Sequence, residues 1–261
     1  MLRLLESQRL VLRDCSGLGL AMPGIVDPAA KRVLSMKEKY PDAFDFDFEG
    51  WVRDTFGLPL VMENDAKAAL LGEVHFGSAK GAQNAVLMIF GTGIGTAAML
   101  GGQLVRGSHH LGGNLGGHFI VEAKGELCNC GARGCLERHA GHWALPLIAK
   151  NREGFPESAL AKRDEIDFKA VLEAARDHDP FALSLLDELI MYWSAGIVNM
   201  VHAFDPDVVI LSGGPMKSAD VLLPRLTERI RAASWAPWDE IRFVVPADPD
   251  SSVLLGLSSL L

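Results

Sequence analysis

Apolar residues occur along this chain in short runs that alternate with longer segments of mixed polarity. The run at 85–90 reads AVLMIF and the run at 207–211 reads DVVIL, a pattern typical of strands buried on both faces of a sheet. Shorter apolar runs at 16–22 and 58–62 predict two further strands, the first ending at Pro23-Gly24. The other predicted elements are helices over 65–76, 136–150, 167–204, 219–233 and 251–261, the end of an amphipathic helix over 1–14, a loop entering a helix over 41–51, and a partner strand over 96–105 with a tight turn at Gly101-Gly102.

The alternation of strands with helices predicts an α/β fold. The chain has 261 residues, of which 49% are hydrophobic, enough for a well-buried core in one large domain or two smaller lobes. The formal net charge is −8 and there is no long basic run, so neither nucleic acid nor an anionic membrane is expected as a partner. No stretch is predicted to span a bilayer, and residues 1–14 lack the apolar core of a signal peptide, so we expect a cytoplasmic protein.

Three of the four cysteines, Cys128, Cys130 and Cys135, lie within eight residues of one another. In a reducing compartment such a cluster indicates a metal site rather than disulfides, and the glycines between the second and third cysteines let the backbone curl around one ion. Structural zinc takes four nitrogen or sulfur ligands at tetrahedral corners, and His118 is the expected fourth ligand. A set of buried free thiols is the alternative. Other histidines near enough in sequence to replace His118 are His109, His110, His139 and His142.

A glycine-rich segment follows the predicted strand at 85–90. It consists of Gly91, Thr92, Gly93, Ile94 and Gly95. Three glycines in five residues allow backbone N–H groups to converge on a phosphate, and the threonine hydroxyl adds a further hydrogen bond. The segment is equally compatible with a plain glycine-rich β-turn.

The tripeptide Glu63-Asn64-Asp65 lies between a predicted strand and a predicted helix. A carboxylate in that position can project into a cleft, so Asp65 is a candidate general base for a hydroxyl, and Asn64 can bond neighbouring hydroxyls. Asparagine and aspartate are also favoured at helix N-caps, and the cap is the simpler interpretation of this pair taken alone.

Six motifs in the chain, by their order and spacing, resemble the ROK family of bacterial sugar kinases and related repressors. They are GLGLAMPG at 17–24, ENDAKAALLGE at 63–73, GTGIG at 91–95, GGH at 116–118, CNCGARGCLE at 128–137 and ILSGG at 210–214. The resemblance implies the actin/hexokinase-like (ribonuclease H-like) fold, an α/β fold of two lobes with a cleft between them. We therefore expect an N-terminal lobe over 1–78, completed by the helix at 251–261, and a C-terminal lobe with the zinc-binding loop over 79–250.

The resemblance also implies an activity, an ATP-dependent hexose kinase. Asp65 would take the proton from a sugar hydroxyl as that oxygen attacks the γ-phosphate of ATP, with Mg²⁺ bound to the nucleotide. Asn64, His118 and Glu137 match positions that contact the sugar, and His118 would use its other ring nitrogen on zinc. The remaining matched positions are Pro23 and Gly24 at the turn near the sugar, and, for the nucleotide, Gly91, Thr92, Gly93, Gly95, Ser212, Gly213 and Gly214.

Two departures from the family pattern modify these expectations. Family kinases carry a D-x-G-G-T phosphate motif upstream of the GLGLAMPG element, and the 261 residues contain none, so we expect the opening strands of the first lobe to be missing from them. Either Met1 lies within a longer gene product, or the protein is a shortened form, and for a shortened form we expect catalysis to be weak or nil. Where the family commonly reads G-E-x-G-H, this chain reads GNLGGH, which places Leu115, or Asn114 with one residue of slippage, at the glutamate position. Asn114 can still bond a hydroxyl. Hexoses and N-acetylhexosamines both stay open as substrates, and the alternative function is a non-catalytic sugar-binding regulator or a shortened pseudokinase.

The segment 183–203 carries apolar residues on more than one face. Such a helix suits burial between the core of a lobe and a second subunit. Together with the family resemblance it predicts a homodimer, and burial within the single chain is the alternative.

Overall fold

The computed structural model describes residues 2–36, 40–235 and 241–261. Within these ranges the chain forms two small sheets and one five-stranded sheet with helices packed around them. The strands are β1 Leu18–Met22, β2 Ile25–Asp27, β3 Arg32–Ser35, β4 Leu60–Asn64, β5 Ala85–Phe90, β6 Ile94–Leu100, β7 Gln103–Leu104, β8 Val208–Gly213 and β9 Arg242–Val244. The helices are α1 Leu2–Ser7, α2 Phe48–Phe56, α3 Asp65–His75, α4 Leu136–Ala140, α5 Leu145–Lys150, α6 Phe168–Arg176, α7 Pro180–Phe204, α8 Ala219–Ala233 and α9 Pro249–Ser258.

The five-stranded sheet has the strand order β7-β6-β5-β8-β9. Strand β5 pairs antiparallel with β6 and parallel with β8, so its backbone is hydrogen-bonded on both sides. Its side chains alternate between two cores: Val86, Met88 and Phe90 face the core built with α6, α7 and α8, whereas Leu87 faces the core built with α3. Burial on both faces explains why this strand is apolar throughout.

The N-terminal part of the fold contains a parallel pair, β1 and β4, that ends with Met22 opposite Asn64. Helix α3 begins directly after β4. The turn that follows β1 and the first residues of α3 therefore lie at the same edge of this pair. The hairpin of β2 and β3 packs on it through Val26 and Val33, which share a small core with Met62.

Helix α9 packs on α3 with very little space between the two backbones. An alanine Cβ at Gly72 would lie 1.9 Å from the carbonyl oxygen of Ser252, and one at Gly256 would lie 1.7 Å from the carbonyl oxygen of Ala68. Next to the crossing, the buried carboxylate of Glu73 accepts a hydrogen bond from the Ser252 hydroxyl. The two helices approach so closely because each has glycine at the crossing point.

Several elements differ from the sequence predictions. Helix α1 ends at Ser7 and a 3₁₀ turn follows at Leu12–Asp14, so the helix predicted over 1–14 is wrong beyond Ser7, and Met1 lies outside the described residues. The helical segment predicted over 167–204 consists of two helices, α6 and α7, because the side chain of Asp179 caps the start of α7. Strands β2, β3 and β9 were not predicted, since each has only three or four residues and no clear alternation.

Helix α7 corrects the expectation that no stretch would be apolar enough to cross a bilayer. By length and composition it meets that criterion, alone among the described residues. Of its most apolar window, 56% is buried inside the protein, including Ile190 and Trp193, which are 0% exposed. A helix that is apolar on most faces because it is enclosed by a core meets the same criterion.

Candidate functional site

Three segments that are distant in sequence meet at the carbonyl oxygen of Gly24. Asn64 donates its Nδ2 to this oxygen at 2.9 Å, and Asn114 donates its Nδ2 at 3.0 Å. Gly24 has a φ of +83°, and a Cβ there would lie 2.3 Å from the carbonyl oxygen of Ser35. The turn after β1 therefore requires glycine, and its shape presents one carbonyl to two amide side chains.

Within the described ranges of the chain, the side-chain amide of Asn114 has a hydrogen-bond partner for its Nδ2 but not for its Oδ1. The residue is 8% exposed, and its Oδ1 has no hydrogen-bond partner among the described residues. A buried acceptor in that state calls for a ligand or a water molecule. Leu115, the other residue that aligns with the family glutamate, is 39% exposed. Of these two, Asn114 is the one that joins the group around Gly24.

Asp65, the candidate base, is the first residue of α3 and is exposed. Its Oδ1 accepts hydrogen bonds from the backbone N–H of Ala66 at 2.8 Å and from Asn64 Nδ2 at 3.0 Å. Asn64 caps the helix, because its Oδ1 accepts from the backbone N–H of Lys67 at 3.1 Å. The cap interpretation is thus correct for Asn64. It does not compete with the site, since the same amide also orients the carboxylate of Asp65.

Asp65 borders a cleft of about 770 Å³. The cleft is also lined by Ser212, Gly213 and Gly214, where β8 ends. Gly213 has a φ of +102°, and a Cβ there would lie 2.2 Å from the carbonyl oxygen of Phe90. The glycines therefore let the chain turn at the end of the strand and leave open space in front of it.

The glycine-rich loop is the tight turn between β5 and β6 and lines a second cavity. This cavity has a volume of about 540 Å³, and Gly91 and Thr92 face it together with Gly214. Within the loop, the Gly91 N–H donates to the Gly93 carbonyl oxygen at 3.0 Å. Gly91 and Thr92 thus border the cavity, whereas Ile94 and Gly95 are the first residues of β6. Lys217 lines both cavities and was not predicted from sequence.

Two charged side chains close to Asn64 along the chain, those of Glu63 and Lys67, are buried. Glu63 is 0% exposed and accepts hydrogen bonds from Arg106 Nη2 at 2.5 Å and from the Asn64 backbone N–H at 2.8 Å. Lys67 is 1% exposed and donates its Nζ to the carbonyl oxygen of His110 at 3.0 Å. Burial is the main cause that lowers the pKa of Lys67 from 10.5 to about 8, and Glu63 opposes that shift. These residues hold the segment that carries Asn114 against α3.

Sequence reasoning missed Lys67 and Arg106. The available signal was a lysine among alanines and leucines in the ENDAKAALLGE motif, on a helix with nine buried residues out of 11. A charged residue in such a setting needs a buried partner. Arg106 gave no signal, because it lies in a loop 43 residues away from the Glu63 that it contacts.

The predicted metal ligands lie together. The ligand atoms of His118, Cys128, Cys130 and Cys135 are all within 4.8 Å of one another. His118 Nδ1 lies 3.8 Å from the Cys128 sulfur, and the sulfurs of Cys130 and Cys135 are 3.5 Å apart. Burial, followed by the neighbouring thiols, raises the pKa of Cys135 to about 12, and burial also raises the pKa of Cys128. Three soft sulfur donors and one imidazole fit a tetrahedral zinc ion, whose charge would offset the cost of forming thiolates there.

The backbone of the cysteine loop needs the two glycines noted in the sequence. Gly131 and Gly134 have φ values of +95° and +75°, and a Cβ at Gly134 would lie 1.7 Å from the carbonyl oxygen of Glu122. Two of the competing histidines have other partners: His110 Nε2 lies 3.6 Å from the Asp27 carboxylate, and His139 stacks on Tyr192 with ring centroids 4.7 Å apart. In the part of the chain that the structure describes, His118 is the histidine of this cluster.

Glu137 follows the last cysteine by two residues, in the first turn of α4. Its carboxylate is 9% exposed and accepts a hydrogen bond from the backbone N–H of Ile94 at 2.7 Å. Glu137, which the ROK resemblance matches to a sugar-binding residue, is thus in direct contact with the glycine-rich segment. The loop and the cysteine cluster meet at this side chain.

Comparison with known proteins decides the family. The sequence profile of the ROK family matches residues 2–261. The chain belongs to the ROK family. A glucokinase of Thermotoga maritima is 32% identical over 220 residues, which are 82% of this chain and 68% of that protein. A xylose repressor of Bacillus subtilis is 26% identical over 245 residues, which are 94% of this chain and 60% of that protein. The chain thus spans about two thirds or less of the length of these curated ROK relatives.

Solved ROK structures share the fold. A ROK hexokinase from Thermus thermophilus superposes with a TM-score of 0.80 at 29% identity, covering 98% of this chain and 80% of that one. A ROK glucokinase from Streptomyces griseus, solved with glucose and AMPPNP, gives a TM-score of 0.75 at 29% identity, covering 95% of this chain and 81% of that one. The actin/hexokinase-like fold predicted from the motifs is confirmed. The relatives of this ROK protein include both sugar kinases and repressors.

Proposed function

We propose that this ROK protein is an ATP-dependent sugar kinase, which transfers the γ-phosphate of ATP to a hydroxyl of a hexose or an N-acetylhexosamine. The position of Asp65 supports this proposal most. Its oriented, exposed carboxylate borders the same cleft as Ser212, Gly213 and Gly214. In-line phosphoryl transfer requires a base beside the attacking hydroxyl and a nucleotide held in the same cleft, and the ROK resemblance matches Ser212, Gly213 and Gly214 to residues that pack against the nucleotide.

The sugar would bind at the edge formed by the turn of Pro23 and Gly24, Asn64 and Asn114. Asn114 Oδ1, buried and without a partner among the described residues, would accept a hydrogen bond from a sugar hydroxyl. His118 and Glu137 would contribute further hydrogen bonds, as the ROK resemblance implies. If Asn114 takes the place of the family glutamate, its amide offers an acceptor and a donor where the carboxylate offers acceptors alone. That difference in donors and acceptors is expected to alter the choice among hexoses.

Asp65 would act as the general base. Two hydrogen bonds to its Oδ1 hold the carboxylate in one orientation, so it can receive the hydroxyl proton as the oxygen attacks phosphorus. Mg²⁺ bound with ATP supplies neutralisation of the phosphate charge. On this chain, the nucleotide contacts would come from Gly91, Thr92, Gly93 and Gly95 on one side and from Ser212, Gly213 and Gly214 on the other.

The cluster of His118, Cys128, Cys130 and Cys135 would hold a structural zinc ion. Zinc supplies no chemistry to the transfer in this assignment. Its four ligands would fix the loop that leads into Glu137, so the ion would act on affinity through the shape of the site.

A coupled ADP-release assay with a panel of hexoses and N-acetylhexosamines tests the proposal. Asp65→Asn keeps the size and the hydrogen bonds of the side chain but removes the base, so kcat is expected to fall by roughly 100-fold to 10,000-fold with a small change in sugar affinity. Asp54→Asn, which removes an exposed carboxylate from α2, is the matched control and should have wild-type activity. Undiminished turnover by Asp65→Asn would refute the assigned base.

A sugar-sensing regulator is the second candidate function. It is favoured by the absence of the family glutamate, whose place is taken by Leu115 or, with one residue of slippage, by Asn114, and by the xylose repressors, which align over 94% of this chain. Isothermal titration calorimetry with the same sugar panel separates the two functions. Sugar binding without ADP release for every sugar tested would support the regulator, and saturable sugar-dependent ADP release would exclude it as the sole function.

We further infer that the protein acts in the cytoplasm as a homodimer. The assignment to the cytoplasm follows the ROK sugar kinases among its relatives. The homodimer is supported by α7, a helix with 12 of its 25 residues buried, on which the large apolar side chains of Leu183 and Met191 are 40% and 45% exposed. Sedimentation equilibrium of the wild type and of a Met191→Glu variant would test it, since a dimer that uses this face should dissociate when a charge is placed there.

A further inference from the structure

One carboxylate connects the cysteine loop with the glycine-rich loop. Glu137 Oε2 accepts the backbone N–H of Ile94 at 2.7 Å, and Oε1 accepts the indole N–H of Trp143 at 2.9 Å. Both oxygens of this side chain, which is 9% exposed, are therefore in use inside the protein. A carboxylate has about four acceptor positions in total, so this arrangement is compatible with a further hydrogen bond to a ligand.

Trp143 also contacts the glycine-rich loop through its backbone. Its N–H donates to the carbonyl oxygen of Thr92 at 3.0 Å. Between these two contacts lies Gly93, where a Cβ would sit 2.2 Å from Glu137 Oε2. The loop thus rests directly on the carboxylate, and glycine is needed at its centre because the carboxylate occupies the space of a side chain.

The indole N–H fixes how the carboxylate is turned. Without the indole N–H, the Glu137 carboxylate would keep the Ile94 N–H as its one donor of these two. The carboxylate could then rotate about its Cγ–Cδ bond or bind a water molecule instead. With the indole N–H, the plane of the carboxylate is set by two donors on opposite oxygens. Hydrogen bonds to a charged acceptor are the stronger kind, so the orientation is well defined.

We propose that Trp143 is a positioning residue, which orients Glu137 so that the carboxylate anchors the Ile94 amide and thereby sets the conformation of the loop at 91–95. The conformation of this loop is consequently tied to α4 and to the cysteine cluster that precedes it. The effect on the nucleotide rests on the proposed kinase function. The effect on the loop itself does not.

Trp143→Phe tests the inference, because phenylalanine keeps the aromatic packing and the backbone contact but removes the indole N–H. Trp193→Phe is the matched control: it also removes a buried indole N–H, which donates to the Ala140 carbonyl oxygen at 2.9 Å, without a hydrogen bond to the loop. Site-resolved amide hydrogen exchange reports on the anchor, after global unfolding has been measured for each variant. Exchange at Ile94 is expected to accelerate by about tenfold in Trp143→Phe and to be unchanged in Trp193→Phe after correction for stability.

The second readout is the affinity for ADP, measured by calorimetry without sugar. Trp143→Phe is expected to raise the Kd for ADP by roughly threefold to tenfold, and Trp193→Phe to leave it unchanged. Unaltered exchange at Ile94 in Trp143→Phe would overturn the inference, as would equal acceleration in both variants. A wild-type protein that binds no ADP would count against the kinase proposal, while the exchange experiment would still decide the role of Trp143.

Discussion

Replacing Gly72 with alanine should force α3 and α9 apart. The added Cβ would lie 1.9 Å from the Ser252 carbonyl oxygen, 2.8 Å from its carbonyl carbon and 3.1 Å from the backbone nitrogen of Gly256. Carbon and oxygen atoms in van der Waals contact are separated by about 3.3 Å or more, so the backbones must move by more than about 1 Å at this point. All three atoms belong to the backbone of α9, and no side chain can rotate away to relieve the contact.

The expected loss of stability is the balance of three effects. Alanine in a helix interior is favoured over glycine by about 1 kcal/mol, which acts to stabilise the variant. Overpacking against a rigid neighbour costs about 1–3 kcal/mol and here falls at the upper end, because backbone has to shift. Moving α9 also strains the buried hydrogen bond from Ser252 to the Glu73 carboxylate, worth about 1.5–3 kcal/mol if it is lost. We expect Gly72→Ala to lower the free energy of unfolding by about 2–4 kcal/mol.

Urea unfolding of the wild type and of two variants measures this loss. Gly196→Ala is the matched control in helix α7, where the three atoms nearest the new Cβ all belong to the side chain of Leu136, the nearest methyl group at 2.3 Å. A side chain can adjust its rotamer, so this variant should lose clearly less stability than Gly72→Ala. Because Asp65 begins α3, Gly72→Ala should also lower activity. Equal stability losses in the two variants would refute the argument that contact with backbone decides the cost.

Three further predictions concern the metal, a buried lysine and the sugar pocket. The purified protein should contain about one zinc ion per chain, and removing the ion with a chelator should lower the Tm. A metal-free preparation with undiminished stability would contradict a structural role for the cluster of His118, Cys128, Cys130 and Cys135. Burial lowers the pKa of Lys67 from 10.5 to about 8, so the unfolded chain binds the proton of this side chain more tightly than the folded protein does. As the pH rises from about 8 to about 10.5, the free energy of unfolding of the wild type should therefore increase by up to about 3 kcal/mol relative to that of Lys67→Met. Parallel pH profiles of stability for the two proteins would contradict this prediction. Asn114→Ala should weaken sugar binding by about tenfold in calorimetry, because it removes the buried Oδ1 acceptor, and an unchanged Kd would exclude Asn114 from the site.

Much of the fold followed from short-range patterns in the sequence. The run AVLMIF is apolar because both faces of β5 are covered, and the strand occurs where the run predicted it. The cysteine spacing with its two glycines brought three thiols together, since a loop of eight residues has few ways to close around one point. The pair Asn64-Asp65 was correctly identified with a helix start, because a cap depends only on residues within the first turn.

The arrangement of the candidate site was decided by tertiary structure. Asn64 and Asn114 meet at Gly24 from positions 40 and 90 residues away along the chain, and Ile94 meets Glu137 across 43 residues. Periodicity and turn chemistry report on neighbours a few positions apart, whereas these contacts depend on how strands and loops pack. The sequence by itself therefore determined which side chains are candidates for binding metal, sugar and phosphate. The packing of β1, β4 and the loop at 106–114 decided which of their atoms have partners, because a buried polar atom is satisfied or left open only by what the folded chain places beside it.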